Sequence, residues 1–206
     1  MTEVIILADG EFPRRRELLS ILEHAQTVIC CDGAADKLVA FGRDPDWIVG
    51  DLDSVSPETK ARFAEKAIRF CEQETNDLAK AFRFCSERCI VPTAVLGASG
   101  AREDHLLGNL SRFAENAVNF SGCRLYTEQG YFCVFAGQGE FLCPVGTQVS
   151  IFSFDTSQKI TSRGLKYPLE ELTLPWWHCG TLNEAVADKI LLRGSTKTPI
   201  LLFFKY

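Results

Sequence analysis

Pro45-Asp-Trp-Ile-Val-Gly-Asp-Leu-Asp-Ser54 sets two carboxylates where a short apolar strand must end. Trp47, Ile48 and Val49 read as a buried strand, and Gly50 lets the backbone turn sharply or approach a ligand closely. In extended backbone, positions two apart face the same way, so Asp51 and Asp53 are expected to converge on one point. Paired carboxylates repel unless something positive sits between them, and a hard divalent cation bound through oxygen is the usual answer. The plainer alternative is that both satisfy turn amides after a strand.

Outward from this stretch, strands and helices alternate. Val4 to Ala8 reads as a strand, and Pro13 then opens a helix with Leu18, Ile21, Leu22 and Ala25 at helical spacing. Thr27 to Cys31 is a second strand, followed by Asp32-Gly33-Ala34-Ala35-Asp36 and a short helix that stops at Gly42. After the Trp47 strand, Ser56-Pro57 caps a third helix. Ala67 to Cys71 is a fourth strand. A helix with Leu78, Ala81, Phe82, Cys85 and Cys89 on its core face follows. Thr93 to Leu96 makes a fifth strand, a helix carries Leu106, Leu107, Leu110, Phe113 and Ala117 inward, and Cys123 to Tyr126 closes a sixth. This order predicts a mostly parallel sheet covered by helices on both faces.

From about Tyr131 the texture changes to short segments rich in aromatic and β-branched residues: Tyr131 to Ala136, Phe141 to Cys143, Val149 to Phe154, Lys189 to Leu192 and Ile200 to Phe204. They predict a small β-sandwich. The expected division is therefore an α/β domain over 1–128 and an all-β sandwich domain over 129–206.

Composition excludes several classes. With 27 acidic against 22 basic side chains and a net charge of -5, the chain does not read as a nucleic-acid or membrane-surface binder. The five apolar residues Val4 to Ala8 are too short for a signal-peptide core or a membrane span, so a cytoplasmic protein is expected. The 9 cysteines form no Cys-x-x-Cys pair and read as reduced, mostly buried thiols.

Ligands of open α/β sheets bind beyond the carboxyl ends of the strands. The polar clusters fall there: Asp9-Gly10, Asp32-Gly33, Asp51 with Asp53, Gln73 to Asp77, and Gly97 to Asp104. Asp77 lies in the first turn of its helix with Lys80 on the same face; alone, they fit a helix-dipole acid and a solvated lysine. Joined to Asp51 and Asp53, Asp77 becomes a third metal ligand and Lys80 a phosphate contact. Gly97-x-Ser99-Gly100-x-Arg102-x-Asp104-His105 leads from a strand into a helix whose free amides suit an anion. It is neither a Walker loop nor a dinucleotide fingerprint. Arg102 suits bidentate grip of a phosphate, and Asp104 suits either capping the helix or orienting Arg102. His105 fits a satisfied histidine as well as a functional one. His24 and His178 read as structural, and Trp176-Trp177 as core or interface rather than a ligand shelf.

Together these segments resemble the thiamine pyrophosphokinase family. The resemblance is carried by Asp32-Gly33-Ala34, Pro45-Asp46 leading into Gly50-Asp51-Leu52-Asp53-Ser54, Gln73 with Thr75-Asn76-Asp77 and Lys80, and Gly97 through His105 to Asn109. In the second half, Ser162-x-Gly164-Leu165-Lys166-Tyr167-Pro168-Leu169 and Gly180-Thr181-Leu182-Asn183-Glu184 carry it. It implies transfer of a diphosphate from ATP to thiamine, giving thiamine diphosphate and AMP, by an α/β catalytic domain and a thiamine-binding sandwich. By motif position, Asp51, Asp53 and Asp77 would hold Mg2+. Asp32, Gly33, Gly50, Gly97, Ser99, Gly100, Arg102, Asp104, His105 and Asn109 would hold ATP, and Gln73, Asn76, Asp77, Thr181 and Asn183 would lie at thiamine. Asp51, Asp53, Asp77, Lys80 and Arg102 would carry the chemistry. A homodimer with active sites at the subunit interface is also implied. Leu182 stands where the family usually has serine. A pyrophosphokinase acting on a pterin alcohol and a non-catalytic nucleotide or thiamine sensor are the alternatives; the complete acidic set with Lys80 and Arg102 disfavours the sensor.

Overall fold

The computed structural model describes residues 3–72 and 74–206. It divides into two compact units, Met1–Glu128 and Gln129–Tyr206.

In the first unit the strands are β1 (Val4–Leu7), β2 (Thr27–Cys31), β3 (Trp47–Gly50), β4 (Ala67–Arg69), β5 (Ala94–Leu96) and β6 (Arg124–Thr127). The helices are α1 (Arg16–His24), α2 (Ala34–Phe41), α3 (Pro57–Arg62), α4 (Asp77–Glu87) and α5 (Glu103–Ala117). The strands lie in the order β6-β5-β1-β2-β3-β4 and every pair is parallel. Strands covered on both faces read as continuous apolar runs, and all of Val-Ile-Ile-Leu in β1 is buried. Ile5 and Leu7 pack with Val28, Cys30 and Ile48 against Leu18 and Leu22 of α1 and Ala34 and Leu38 of α2. Ile6, Ile29 and Val49 face the other way, toward α4 and α5, which bury Phe82, Phe84 and Phe113.

Sequence order reverses beside β1, which has β2 on one side and β5 on the other. Connections leaving β1 and β5 therefore diverge to opposite faces and open a crevice at their carboxyl ends, the place where such sheets bind ligands.

The second unit is antiparallel. Its strands are β7 (Gly130–Phe135), β8 (Gln138–Leu142), β9 (Gln148–Ser153), β10 (Lys159–Arg163), β11 (Leu172–Thr173), β12 (Asn183–Glu184), β13 (Lys189–Gly194) and β14 (Ile200–Lys205). They form two layers, β12-β9-β14-β7 and β11-β10-β13-β8. Alternate side chains of both layers meet in one core that includes Val149, Ile151, Ile160, Ile190, Leu192, Ile200 and Leu202. The α/β-plus-sandwich expectation is met.

Local readings differ in places. The first helix starts at Arg16, not Pro13, and β4 ends at Arg69, before exposed Cys71. Cys89 lies past the end of α4, exposed, at φ 56°, so it is not a core residue; Cys85 is. Leu107 is 52% exposed, because α5 turns only Leu110, Phe113, Ala114 and Ala117 fully inward. The strand β10 has no counterpart in the sequence reading, since Lys-Ile-Thr-Ser-Arg offers a single large apolar residue. No described helix is long and apolar enough to cross a membrane.

Candidate functional site

The carboxyl ends of β1, β2, β3 and β5 and the start of α4 supply the site. After β3 the chain does not stay extended: Leu52 adopts φ 67°, a left-handed conformation that costs a β-carbon residue about 1 kcal/mol. Leu52 packs on the core cluster, which anchors that turn. The Asp53 amide donates to Asp51 Oδ1 at 3.3 Å, so the turn reading is met in part. Even so, carboxylate oxygens of Asp51, Asp53 and Asp32 all lie within 4.8 Å of one another. Convergence is thus real, but a kinked turn brings it about and its third member is Asp32.

Asp32 is 2% exposed, and its Oδ1 is buried without a hydrogen-bond partner. Burial, the hydrogen bond with Asp51 and the charge of Asp77 push its carboxyl up to about 7. Burial also works against ionised Asp51, but the hydrogen bond from Asp32, the Asp53 amide and the charge of Lys80 outweigh it and hold that carboxyl below the usual range. The two carboxyls are thus shifted in opposite directions, and an oxygen-seeking cation is the group that would balance both as carboxylates.

Asp77 begins α4, capped by Asn76, whose Oδ1 accepts from the Ala79 amide at 3.0 Å. Lys80, 3% exposed, reaches Asp77 at 2.9 Å and Asp51 at 3.7 Å. An ammonium so enclosed is held charged by carboxylates on two elements. Gly50 sits tightly under this group: a Cβ there would lie 3.0 Å from the Cβ of Asp32 and 3.3 Å from Asp77 Oδ1.

Across the crevice, the backbone after β1 zips to the backbone after β5. The Gly10 amide donates to the Gly97 carbonyl at 2.7 Å and the Glu11 amide to the Ser99 carbonyl at 2.8 Å. A Cβ on Gly10 would run into the Gly97 oxygen, so this approach needs glycine. The loop enters α5 with no side-chain cap on its first amides. Arg102 and Asp104 form a bidentate pair at 3.0 and 2.6 Å, which holds the Asp104 carboxyl down at about 2. Asp104 therefore orients Arg102 and does not cap the helix.

These walls enclose a cavity of about 750 Å³, lined among others by Asp9, Asp51, Asp77, Lys80, Ser99 and Arg102. Asp104, His105 and Asn109 also line it. The amides of Asn76 and Asn109 bond to each other at 3.0 Å, and Asn109 also donates to the Ala98 carbonyl, tying α4 and α5 to the β5 loop. Gln73 lies outside the described residues.

In the second unit, Asn183 accepts from the Tyr167 amide at 3.1 Å and donates to its carbonyl at 2.7 Å, joining two loops. Thr181 donates to the His178 carbonyl at 2.8 Å. Beside these polar joints Tyr167, Trp176 and Leu182 stand 63%, 70% and 77% exposed. Leu182, at φ 62°, is held outward by its backbone. Tyr167 belongs to the second-half motif but has no individual role in the sequence reading; its place beside Asn183 becomes evident only once the two loops pair.

Residues 18–126 match the family described as thiamin pyrophosphokinase, catalytic domain, and residues 130–203 match thiamin pyrophosphokinase, substrate-binding domain. This chain belongs to the thiamin pyrophosphokinase family. Thiamine pyrophosphokinase 3 of Oryza sativa subsp. japonica is 32% identical over 114 residues, 43% of this chain and 43% of the relative. The thiamine pyrophosphokinase of Bacillus subtilis (strain 168) is 24% identical over 82% of both chains. The aligned stretch thus spans less than half the length of that rice relative. Solved structures of thiamin pyrophosphokinases share the fold: that from Bacillus subtilis has a TM-score of 0.75 at 21% identity, covering 98% of this chain and 99% of the other. That from Candida albicans has a TM-score of 0.78 at 16% identity, covering 99% and 89%.

Proposed function

We propose that this thiamin pyrophosphokinase family member transfers a diphosphate from ATP to the hydroxyl of thiamine, releasing AMP. The observation that carries the reading is the convergence of Asp32, Asp51 and Asp53, with one buried Asp32 oxygen lacking a donor, beside a cavity that Asp51 lines together with Ser99 and Arg102 from the entry to α5. An all-oxygen carboxylate set of this kind fits Mg2+. Asp32, Asp51 and Asp53 would hold it, with Asp77 beside them; when bound, it neutralises phosphate charge and aligns the β-phosphate for in-line displacement.

The residues of this chain do the rest. The amides at the start of α5 and the Arg102 guanidinium bind phosphate oxygens, with Asp104 fixing the fork, Ser99 and His105 in the wall, and the left-handed turns at Gly97 and Gly100 shaping the loop behind it. Lys80 balances charge between Asp51 and Asp77 and offers its remaining donor to the transferred group. Thiamine's hydroxyl oxygen bonds to the β-phosphorus, the bond from that phosphorus to the oxygen bridging the α-phosphorus breaks, and AMP leaves with that oxygen. Asp77, which lines the cavity, accepts the hydroxyl proton. The second unit binds the thiamine rings, with Tyr167 and the Thr181–Asn183 loop as the contact surface. The exposed apolar residues of that unit accord with a homodimer, and a cytoplasmic setting accompanies the reading.

Incubating the purified protein with ATP, Mg2+ and thiamine and separating the products by chromatography tests it. Equal amounts of AMP and thiamine diphosphate are expected. ADP with thiamine monophosphate would make it an ordinary kinase, and no thiamine product would overturn the reading.

A further inference from the structure

Asp9 and Gly10, which follow β1, form part of the cavity wall, and a carboxylate there has the wrong sign for a polyanionic ligand. Its counterweight comes from α2. Lys37 Nζ lies 2.7 Å from Asp9 Oδ1, 2.9 Å from the Asp9 carbonyl and 2.7 Å from the Gly10 carbonyl. Those contacts occupy all three ammonium donors, so Lys37 has none left for a ligand, and it does not line the cavity. The carboxylate is also fixed from below, since it rests against Gly33, where a Cβ would meet Asp9 Oδ2 at 2.7 Å. Both side chains are more than a third exposed, so the pair adds little to folding stability but remains close enough to the cavity to shape its field.

We propose that Lys37 is a positioning residue that acts through Asp9: it neutralises the one carboxylate in the β1 wall and keeps that wall acceptable to the triphosphate of a nucleotide. This rests on the ATP reading of the cavity and deepens it. In the sequence Lys37 is an ordinary polar residue of an amphipathic helix. Only the fold brings it to residues 27 and 28 positions earlier in the chain.

The test is a set of opposite-sign charge changes. K37M is expected to raise KM for ATP about tenfold at low salt, with kcat and the thiamine KM within about twofold of the parent. D9N should lower KM for ATP, because Lys37 then stands as an excess positive charge. The double variant D9N/K37M should return KM for ATP to within about threefold of the parent, and the K37M defect should shrink in about 0.5 M salt. Ligand-free melting temperatures of all variants should agree. An unchanged KM for ATP in K37M, or a double variant no better than K37M, overturns the proposal. If K37M does not fold, K37Q carries the same comparison. If the parent protein forms no thiamine diphosphate, it is the functional reading that fails; Kd for a fluorescent ATP analogue then decides the Lys37 proposal by the same pattern of loss and recovery.

Discussion

Asp32 follows directly on β2, enclosed by the sheet, with one carboxylate oxygen that meets no donor. Further carboxylates surround it, Asp51 and Asp53 from the β3 loop and Asp77 from α4, and Lys80 in turn pairs with Asp77. A carboxyl raised to about 7 holds a proton in the folded protein that the unfolded chain, near 3.8, has already released. Between pH 4 and 7 the native state therefore binds more protons, and stability falls as pH rises through that window. Asp51, held low, acts in the opposite sense only below about pH 4. In EDTA, the parent protein is thus expected to lose on the order of 1–3 kcal/mol between pH 5 and 7, and Asp32→Asn to lose much less. Mg2+ at pH 7 should raise the melting temperature of the parent but scarcely that of the variant. Urea denaturation across the pH range checks the first statement and thermal melting the second; a flat parent profile, or equal Mg2+ stabilisation of both proteins, would count against the assignment of Asp32.

At the scale of elements, α2 links the walls of the site. Gly33 at its start supports Asp9, Lys37 binds the β1 loop, and Asp36 binds the segment after the acidic turn. The Asp36 carboxylate accepts from the Ser56 amide at 2.8 Å, from the Ser56 hydroxyl at 2.6 Å and from the Thr59 hydroxyl, while Ser56 Oγ caps α3 by accepting from the Thr59 amide. Burial opposes ionised Asp36, yet these donors hold its carboxyl below the usual range. Asp36→Ala would leave the nearly buried Thr59 hydroxyl and the Ser56 amide unpaired, and should destabilise the first unit by about 1–3 kcal/mol in urea denaturation. A loss under about 0.5 kcal/mol would mean that solvent replaces the carboxylate. The helix itself was legible in the sequence, from Leu38, Phe41 and the Gly42 stop. Its cross-links were not, because they join residues about 20 apart whose types also suit any exposed helix. The same distinction explains Asp32: its apolar strand and turn glycine were plain, but its grouping with Asp51 and Asp53 depends on the parallel pairing of β2 with β3 and on a left-handed Leu52. Periodicity failed where it was weakest, at the ends of α4 and α5 and in β10.

For the whole molecule, the family matches divide as the compact units do, with a catalytic-domain match ending at 126 and a substrate-binding match starting at 130. Each unit has its own core, one built between a parallel sheet and helices, the other between two antiparallel layers. Recognition of two chemically different substrates is then expected to be separable by mutation. The first unit offers amides, Lys80 and Arg102, groups suited to phosphate; the second offers exposed Tyr167 on a backbone locked by Asn183, a surface suited to a flat heteroaromatic ring. Tyr167→Ala removes the ring without touching the backbone bonds to Asn183. It should raise the thiamine KM about tenfold while the ATP KM stays within about twofold. Lys80→Ala removes the only cation between Asp51 and Asp77 among the described residues, so it should lower kcat by about a hundredfold or more, with the thiamine KM little changed. Steady-state kinetics with each substrate varied in turn reads both variants. If Tyr167→Ala instead weakened ATP alone, the second unit would have to be assigned to the nucleotide, and the division of labour inferred from the two cores would be wrong.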